Sequence, residues 1–433
     1  MSKIDEIYNK SGFKMDFGLD RIAALLDHAG NPQNGINFIH ITGTNGKGSV
    51  SRMIYEILNM HGLVTGLYTS PHLVRFNERI VVNNTYISDE DLERLTVYFM
   101  EALSSGRDLA KMGKLTFFEL TTAICFKYFE EKKADIAVIE AGLGGSLDAT
   151  NVIKRPLISV ITNISMDHSA ILGHSLKKIA ADKAGIIKRN SVIITGESKK
   201  KIKELIFNYA VRMDSKAYST DMIRLTKKGG LYCYDGLYNS IDGITLSNKA
   251  LYQKYNLKTA LLSVEVLFEL YKDLICKTLE KDLVRKGLNS FKHEGRFEII
   301  RLKGRTVILD GAHNPDGIEK LAGSLKAYFK NSKWTIVFAV MQDKDYKTML
   351  RRLSKLGAVI IFTKISNDRS ADPFRLKVEA DKLPGFKRSY ITKNLEEAAS
   401  VAFNIKSGSE AILVCGSLYL IGEFKKLYLN PAI

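Results

Sequence analysis

The sequence predicts an α/β protein whose parallel sheets are covered by helices on both faces. Apolar, β-branched runs bounded by Gly, Asn or Asp recur along the chain, and helical patterns separate most of them. Strands that are apolar throughout are typical of parallel sheets buried on both sides. The predicted strands span residues 38–42, 136–139, 157–161, 192–195, 306–309, 335–340, 358–363 and 411–415. The helices between them include residues 50–60, 116–130, 317–329 and 395–405.

Two domains are predicted because this alternation is interrupted once. The chain has 433 residues, enough for two or three domains with cores of their own. Residues 206–250 contain short glycine-rich strand patterns, and we interpret them as a β-rich appendage of the first domain. The alternation restarts at Phe297. We therefore place the first domain at residues 1–295 and the second at residues 296–433.

The net charge of the chain is +17, from 64 Lys and Arg against 47 Asp and Glu. Such an excess is found in nucleic-acid-binding proteins. However, the lysine runs 199–201, 227–228 and 425–426 lie in polar stretches with few aromatic residues. We interpret them as solvated surface and expect no nucleic-acid partner.

Composition and segment lengths indicate a globular cytoplasmic protein. Hydrophobic residues make up 45% of the chain and charged residues 26%. No apolar run reaches the length of a membrane span, and residues 1–6 turn acidic where a signal peptide would be apolar. The four cysteines are widely spaced, without a CxxC motif, so we expect reduced thiols. No membrane partner is expected.

A glycine-rich turn follows the first predicted strand. Its glycines allow several backbone N–H groups to point at one anion, the following helix N-terminus adds a partial positive charge, and Lys47 adds a full one. The consensus GxxxxGK[ST] is not met, because Ile41 replaces its first glycine and Gly48 separates the lysine from the serine. A turn without ligand is the alternative. The candidate ATP-binding residues are Gly43, Thr44, Asn45, Gly46, Lys47, Gly48 and Ser49.

This loop and six further motifs resemble the folylpolyglutamate synthase and dihydrofolate synthase family, which is related to the muramyl-peptide ligases. The motifs are YTSPHLVRFNERI at 68–80, EAGLGGSLDATN at 140–151, DH at 167–168, KAGIIK at 183–188, GRF at 295–297 and DGAHNP at 310–315. The muramyl ligases resemble the loop through GTNGKT, so the Gly48-Ser49 ending favours the folate branch. The resemblance implies a P-loop-type parallel-sheet ATPase domain followed by a smaller Rossmann-like α/β domain.

The resemblance also implies an activity, namely ATP-dependent addition of L-glutamate to folate through an acyl phosphate. Dihydropteroate is a second candidate substrate. The implied ligands are ATP as co-substrate, one or two Mg²⁺ ions, glutamate and the folate or dihydropteroate, and we expect a monomer. A muramyl-peptide ligase and a basic regulatory ATPase that binds nucleic acid are the alternatives.

The metal site is implied to lie at the C-terminal edge of the first sheet, where ligands of open α/β sheets bind. Glu140 ends a predicted strand, and carboxylate oxygens suit Mg²⁺. By resemblance, Ser70, Glu140 and His168 are the metal ligands. Lys183 matches a family lysine that is carbamylated, so it is a candidate N6-carboxylysine and catalytic residue.

Further residues are implied for the nucleotide and for catalysis. Asn256, Arg296 and Asp310 match nucleotide-binding positions, and the Arg296 guanidinium suits transferring phosphoryl charge. Asn256 could equally be the N-cap of the helix that follows it. His313 is a candidate for placing the incoming amine or accepting its proton. With Lys47 and Lys183, it completes the candidate catalytic set.

Three segments match the family's pterin-binding positions. Aromatic rings stack on flat heterocycles, and a carboxylate such as Asp148 can bind paired N–H donors. Phe117 and Phe118 could instead belong to the core. One position departs from the family, since Ser146 stands where arginine is usual. The candidate folate-binding residues are Asp16, Phe17, Gly18, Leu19, Thr116, Phe117, Phe118, Glu119, Leu147, Asp148 and Ala149.

Overall fold

The computed structural model describes Ile4 and residues 18–105, 115–330, 332–405 and 411–429. They form two compact units, and both are discontinuous in sequence. The first unit comprises Met1–Ile164, His174–Ser247 and Tyr255–Phe291. The second comprises Ser165–Gly173, Asn248–Lys254 and Lys292–Ile433.

The first unit contains an eight-stranded sheet of order β4-β3-β2-β5-β1-β6-β7-β8. Six neighbouring strands are parallel, while β3 and β4 are antiparallel additions at one edge. The strands are β1 Asn37–Thr42, β2 Thr65–Tyr68, β3 Ile80–Val82, β4 Thr85–Tyr86, β5 Ile136–Glu140, β6 Ile158–Ile161, β7 Val192–Thr195 and β8 Lys216–Ser219.

Helices cover both faces of this sheet, as the apolar strands predict. Ile39 and Val138 pack into the core on one face, and Phe38 and Ile139 pack into the core on the other. The first core is completed by helices Lys47–Met60, Gln253–Leu270 and Lys281–Ser290, and the second by Asp20–His28, Asp89–Ser105 and Phe117–Glu131. Among the described residues of this unit, the further α-helices are Leu176–Ala184, Lys200–Arg212 and Lys272–Ile275.

A separate antiparallel sheet lies within the segment predicted as a β-rich appendage. Its order is β11-β10-β9, with β9 Arg224–Lys228, β10 Leu231–Asp235 and β11 Ser240–Ile244. The turn between β10 and β11 is fastened to helix Gln253–Leu270 by Glu265. This buried carboxylate accepts hydrogen bonds from the Tyr234 hydroxyl and from the backbone N–H groups of residues 237–239.

The second unit is built on a six-stranded sheet of order β12-β13-β17-β14-β15-β16, in which β12 is antiparallel. The strands are β12 Glu298–Leu302, β13 Arg305–Asp310, β14 Trp334–Phe338, β15 Val359–Phe362, β16 Arg388–Ile391 and β17 Ala411–Cys415. The helices are Ser169–Leu172, Pro315–Tyr328, Tyr346–Leu353, Pro373–Asp381, Leu395–Asn404 and Leu418–Tyr428.

These two α/β units confirm the predicted fold class. Each carries a mostly parallel sheet with helices packed on it, and the second is the smaller. Within the described residues, no helix combines the length and the apolar character that crossing a membrane requires.

Candidate active site

The phosphate loop, residues 43–49, is held by the segment that follows β6. The Thr44 N–H donates to the carbonyl oxygen of Asn163 at 2.8 Å. Gly43 has a φ of +148°, and a Cβ on it would lie 1.9 Å from the Thr162 hydroxyl oxygen. No side chain fits at this position, because two neighbouring strand ends approach each other so closely.

Asn256 lies against the phosphate loop. Gly46 has a φ of +89°, and a Cβ on it would lie 2.3 Å from Oδ1 of Asn256. The helix that carries Asn256 spans Gln253–Leu270, so this residue lies in the first turn of the helix. The alternative that Asn256 is the N-cap is therefore wrong. The first unit brings Asn256 next to the loop with which the sequence grouped it.

The Lys47 ammonium folds back over the loop, where Nζ donates to the Gly43 carbonyl oxygen at 3.1 Å. Lys47 begins the helix Lys47–Met60, whose N-terminus has no side-chain cap. First-turn N–H groups of an uncapped helix favour an anion. Gly48 is half-buried and Ser49 buried in that first turn.

Glu140 and Ser70 lie together at the C-terminal edge of the same sheet. The Ser70 N–H donates to a Glu140 carboxylate oxygen at 3.3 Å. Glu140 ends β5 and pairs in register with Ile41 of β1, two residues before the phosphate loop. Glu140 is only 4% exposed, and buried carboxylates are usually paired or bound to a metal ion. The C-terminal edge of this sheet thus carries the oxygen donors Glu140 and Ser70 as well as the phosphate loop.

His168, the third predicted metal ligand, belongs to the second unit. It has a φ of +48°, and its Nε2 lies 3.1 Å from Nζ of Lys344. Within the described residues, no three His, Cys, Asp or Glu side chains are grouped closely enough to hold a metal ion. Glu140 and the Ser70 oxygen fit a hard cation such as Mg²⁺. Imidazole is a less usual ligand for that ion.

Lys183 is buried near the C-terminus of helix Leu176–Ala184, and the glycine loop after β5 packs directly on it. A Cβ on Gly145 would lie 2.8 Å from Cα of Lys183. Ser146 donates from both its N–H, at 3.0 Å, and its hydroxyl, at 2.8 Å, to the Asp182 carbonyl oxygen. In this chain the serine that replaces the family's arginine therefore fastens the loop to the helix of Lys183.

The predicted folate-binding segments are only partly within the described residues. Asp16 and Phe17 lie outside them. Gly18 and Leu19 are half-buried, and Leu19 precedes helix Asp20–His28.

Two members of the second predicted segment have structural partners. Thr116 and Glu119 form a capping box at the start of helix Phe117–Glu131. Glu119 is 3% exposed and accepts a hydrogen bond from Arg21 Nε at 3.1 Å. This contact joins the helix that follows the first segment to the helix of the second.

The aromatic side chains connect the second and third segments. Phe118 lies under the glycine loop, where a Cβ on Gly142 would be 2.6 Å from its ring. Phe117 packs edge-on against Phe76. Both rings are half-buried, so they contribute to the core and still present a surface. Leu147 in the third segment is 50% exposed.

Asp148 shapes the glycine loop from within. It is 5% exposed, and its oxygens accept bonds from the N–H groups of Leu143 at 2.7 Å and Thr150 at 3.0 Å. Burial raises the pKa of Asp148 above its usual range, although these N–H donors oppose the shift. Ala149, buried beside it, begins a short 3-10 helix. The arrangement gives Asp148 a structural role in addition to any ligand contact.

The second unit brings Arg296 and Asp310 together. Asp310 ends β13 and is 2% exposed. Its carboxylate accepts from the Tyr252 hydroxyl at 2.7 Å, the Phe297 N–H at 2.9 Å and the Ala312 N–H at 2.8 Å. Burial raises the pKa of Asp310, and the Arg296 charge opposes that shift.

His313 and Asp167 belong to a second cluster of this unit. His313 Nδ1 lies 2.8 Å from the Gly311 carbonyl oxygen, and its Nε2 lies 3.6 Å from the Asp167 carboxylate. Asn314 Nδ2 donates to Asp167 at 3.0 Å, and Lys344 Nζ donates to it at 2.6 Å. Burial alone would raise the pKa of Asp167, but His313 and Lys344 outweigh it and hold that pKa well below its usual range.

Two functional candidates were not predicted from the sequence. Lys344 follows β14 within Asp343-Lys344-Asp345, and a charged cluster at that sheet edge could have pointed to it. Lys425 was assigned to solvated surface with its neighbour Lys426, but Lys425 is 4% exposed and pairs with two carboxylates. That assignment is wrong for Lys425, because its helix turns this side chain inward while Lys426 stays exposed.

Comparisons with known proteins agree on one family. Residues 41–233 match the Mur ligase middle domain, and residues 295–418 match the Mur ligase, glutamate ligase domain. The chain is 32% identical to a dihydrofolate synthase/folylpolyglutamate synthase of Bacillus subtilis, covering 97% of each chain. It is also 32% identical to a folylpolyglutamate synthase of Lacticaseibacillus casei, covering 95% of this chain and 94% of the relative.

Solved structures give the same result. The crystal structure of Mycobacterium tuberculosis folylpolyglutamate synthase, complexed with ADP and AMPPCP, matches 95% of each chain. Its TM-score is 0.87 at 31% sequence identity. The folylpolyglutamate synthase of Thermotoga maritima matches all of this chain with a TM-score of 0.84 at 34% identity.

Proposed function

The chain belongs to the folylpolyglutamate synthase and dihydrofolate synthase family of ATP-dependent ligases, and we propose that it adds L-glutamate to a reduced folate. Dihydropteroate is the second candidate substrate, because the Bacillus subtilis relative is named for both activities. One observation supports the proposal most strongly. The phosphate loop, with Asn256 against Gly46, lies beside the strand that ends in Glu140.

The reaction requires activation of a carboxylate, because its oxygen is a poor leaving group when an amine attacks at neutral pH. Transfer of the γ-phosphoryl group from ATP to that carboxylate gives an acyl phosphate and ADP. The glutamate amine then attacks the acyl carbon, and phosphate leaves as the amide forms. Phosphoryl transfer asks the protein for positioning and charge stabilisation, which Lys47 and Arg296 would supply.

Ser70, Glu140 and His168 would hold a Mg²⁺ ion, and the oxygen donors Ser70 and Glu140 lie at one sheet edge. A bound ion would offset the negative charge of the phosphate oxygens. We propose that Lys183 is carbamylated and serves a second ion. Its support is the resemblance, which matches Lys183 to a carbamylated lysine of the family, together with the burial of this side chain at 4% exposure.

His313 is proposed to place the incoming amine or accept its proton. Its ring is oriented on both sides, by the Gly311 carbonyl at Nδ1 and by the Asp167 carboxylate near Nε2. Asp310 is proposed to support the nucleotide site through Arg296. For folate, the exposed Leu147 and the half-buried Phe117 and Phe118 offer the apolar surface that a flat heterocycle needs.

We also propose that the protein acts as a monomer in the cytoplasm. Each unit buries its own core, and the four cysteines are free thiols, as a reducing compartment requires. Sedimentation at two protein concentrations tests the monomer.

ADP release tests the activity. It should depend on L-glutamate together with tetrahydrofolate or dihydropteroate, and the product should carry one more glutamate by mass. Lys47→Met should lower the rate about 100-fold or more. The exposed Lys200→Met, with the same loss of charge, should leave the rate unchanged. ADP release driven by a muramyl peptide, or stimulated by RNA or DNA, would contradict the proposal.

A further inference from the structure

Arg296 sits in a turn whose backbone is hydrogen-bonded at successive positions. We call residues 295–297 the arginine turn. The Gly295 N–H donates to Glu298 at 2.8 Å, and its carbonyl oxygen accepts from the Gly311 N–H at 2.8 Å. The Arg296 carbonyl oxygen accepts from the Asn248 side chain. The Phe297 N–H donates to Asp310. These hydrogen bonds hold the backbone on both sides of Arg296 and so limit the directions in which its side chain can point.

The arginine turn also adopts unusual dihedral angles. Gly295 has a φ of +66° and Phe297 a φ of +50°. The left-handed region of φ strains the backbone of a bulky residue such as Phe297. The turn therefore depends on the side chains that hold it. Two of these are carboxylates, Glu298 on one side and Asp310 on the other.

Glu298 is in turn held by Lys425. Nζ of Lys425 lies 3.0 Å from one oxygen of Glu298 and 3.3 Å from the other, which is the oxygen bonded to Gly295. The same ammonium donates to Glu294, the residue before the turn. The Lys425 side chain is 5% exposed and that of Glu298 is 22% exposed, so water competes little for this pair.

The charges balance locally. Burial by itself lowers the pKa of Lys425, but Glu294 and Glu298 outweigh burial and hold that pKa above its usual value. Without this ammonium, Glu294 and Glu298 would lose their shared lysine, and the guanidinium of Arg296 would be the cation between them in the chain. A guanidinium pairs strongly with carboxylates, so Arg296 would become a competing partner for them.

We infer that Lys425 is a positioning residue for Arg296: it anchors Glu298, and through Glu298 the Gly295 N–H, so that the guanidinium stays directed toward Gly311. A Cβ on Gly311 would lie 2.9 Å from Nη1 of Arg296, which places the guanidinium over that residue. The inference rests on the proposed role of Arg296 in nucleotide binding. None of the motifs that indicated the family includes Lys425.

A double-mutant cycle tests the inference, with ATP and ADP affinity measured by calorimetry. Lys425→Met should weaken nucleotide binding about tenfold, the equivalent of one charge-assisted hydrogen bond. The exposed Lys426→Met, one residue further along the same helix, removes the same charge and should change nothing. In an Arg296→Ala background, Lys425→Met should have no further effect on affinity. Lys425→Arg should restore most of the affinity.

The outcomes distinguish the proposed role of Arg296 from the inference about Lys425. If Arg296→Ala alone leaves nucleotide affinity unchanged, the proposed role of Arg296 is wrong, and the inference fails with it. If Arg296→Ala weakens binding but Lys425→Met does not, only the inference fails. Losses that add in the double variant would show that Lys425 acts on the fold in general. If Lys425→Met does not fold, Glu298→Gln takes its place in the same cycle, with the same expected result.

Discussion

The Lys344 ammonium lies 2.6 Å from the Asp167 carboxylate, although 177 positions separate the two residues in the sequence. Each side chain is only 8% exposed. Asp167 also receives Asn314, so the segment before His168 is tied to the second unit by several polar contacts. The pair therefore fixes the segment that carries a proposed metal ligand.

We expect Lys344→Met to lower the free energy of unfolding by about 3 kcal/mol, because it leaves a buried carboxylate short of a partner. Asp167→Asn in the same protein should recover part of that loss, so the two changes should not add. Chemical denaturation of the four proteins measures this coupling. Lys347→Met removes an exposed lysine that lies 3.6 Å from Glu379, and should cost less than about 0.5 kcal/mol. Additive losses would contradict the direct pairing.

Gly46 is expected to be intolerant of a side chain for a reason beyond its backbone. Gly46→Ala and Gly30→Ala should each cost about 1–2 kcal/mol of stability, because both positions have a left-handed φ. Only at Gly46 would the new Cβ displace Asn256, since nothing lies within 4 Å of a Cβ on Gly30. Gly46→Ala should therefore weaken ATP binding about tenfold and Gly30→Ala should not. Wild-type affinity in Gly46→Ala would exclude Asn256 as a wall of the phosphate loop.

His40 is expected to make stability depend on pH. It is buried in β1, where Nε2 bonds the Thr150 hydroxyl and Nδ1 has no hydrogen-bond partner in the described part of the chain, as in a neutral imidazole. Burial, with a smaller contribution from Lys188, lowers the pKa of His40 from 6.5 to about 3. Below pH 6.5 the unfolded chain binds a proton at His40 and the folded chain does not, so protonation favours the unfolded state. The contribution of neutral His40 to folding stability is therefore fully present above pH 6.5. It is lost as the pH falls toward 3.

The contribution of His40 to the slope should reach about 1.4 kcal/mol per pH unit within that window. His40→Gln retains an N–H near Thr150 but cannot be protonated, and should flatten the slope between pH 6.5 and 3. The exposed His28→Gln should leave the slope unchanged. Thermal denaturation across this pH range measures both. An unaltered slope in His40→Gln would mean that carboxylates alone determine the acid sensitivity.

Carbamylation of Lys183 can be observed directly. Incubation with ¹³C-bicarbonate should give one carbamate carbonyl resonance by NMR, which Lys183→Met should abolish. Lys188 is the natural control, because burial lowers its pKa and the neutral amine is the form that attacks CO₂. Lys188→Met should retain the signal. If the signal disappeared in Lys188→Met instead, the modified residue would be Lys188 and the proposal for Lys183 would be wrong.

The fold was predictable where local pattern and tertiary environment agree. β1, β5, β6 and β7 are built on apolar, mostly β-branched runs and were expected as buried parallel strands. β2, Thr65–Tyr68, was not predicted, because its four residues include Gly66. A Cβ on Gly66 would lie 2.9 Å from the Phe129 ring, so this glycine is required by packing against a distant helix. Short local patterns contain no trace of such a contact.

The candidate site residues also differ in whether their positions could be predicted from local sequence. The strand-end positions of Glu140 and Asp310 were predictable, because each residue follows an apolar run at the edge where ligands of parallel sheets bind. Lys425 was not, because its partners Glu294 and Glu298 lie 131 and 127 residues earlier in the chain. A lysine beside another lysine in a polar stretch is usually exposed. Lys425 differs from Lys426 only in the face of the helix that carries it.

The second unit takes two short segments, Ser165–Gly173 and Asn248–Lys254, from earlier in the chain. A fragment beginning at residue 292 would lack Asp167 for Lys344 and Tyr252 for Asp310. During translation, by contrast, both segments leave the ribosome before the sheet that they complete. The gene therefore cannot be divided between the units without leaving buried polar groups unpaired in the C-terminal product.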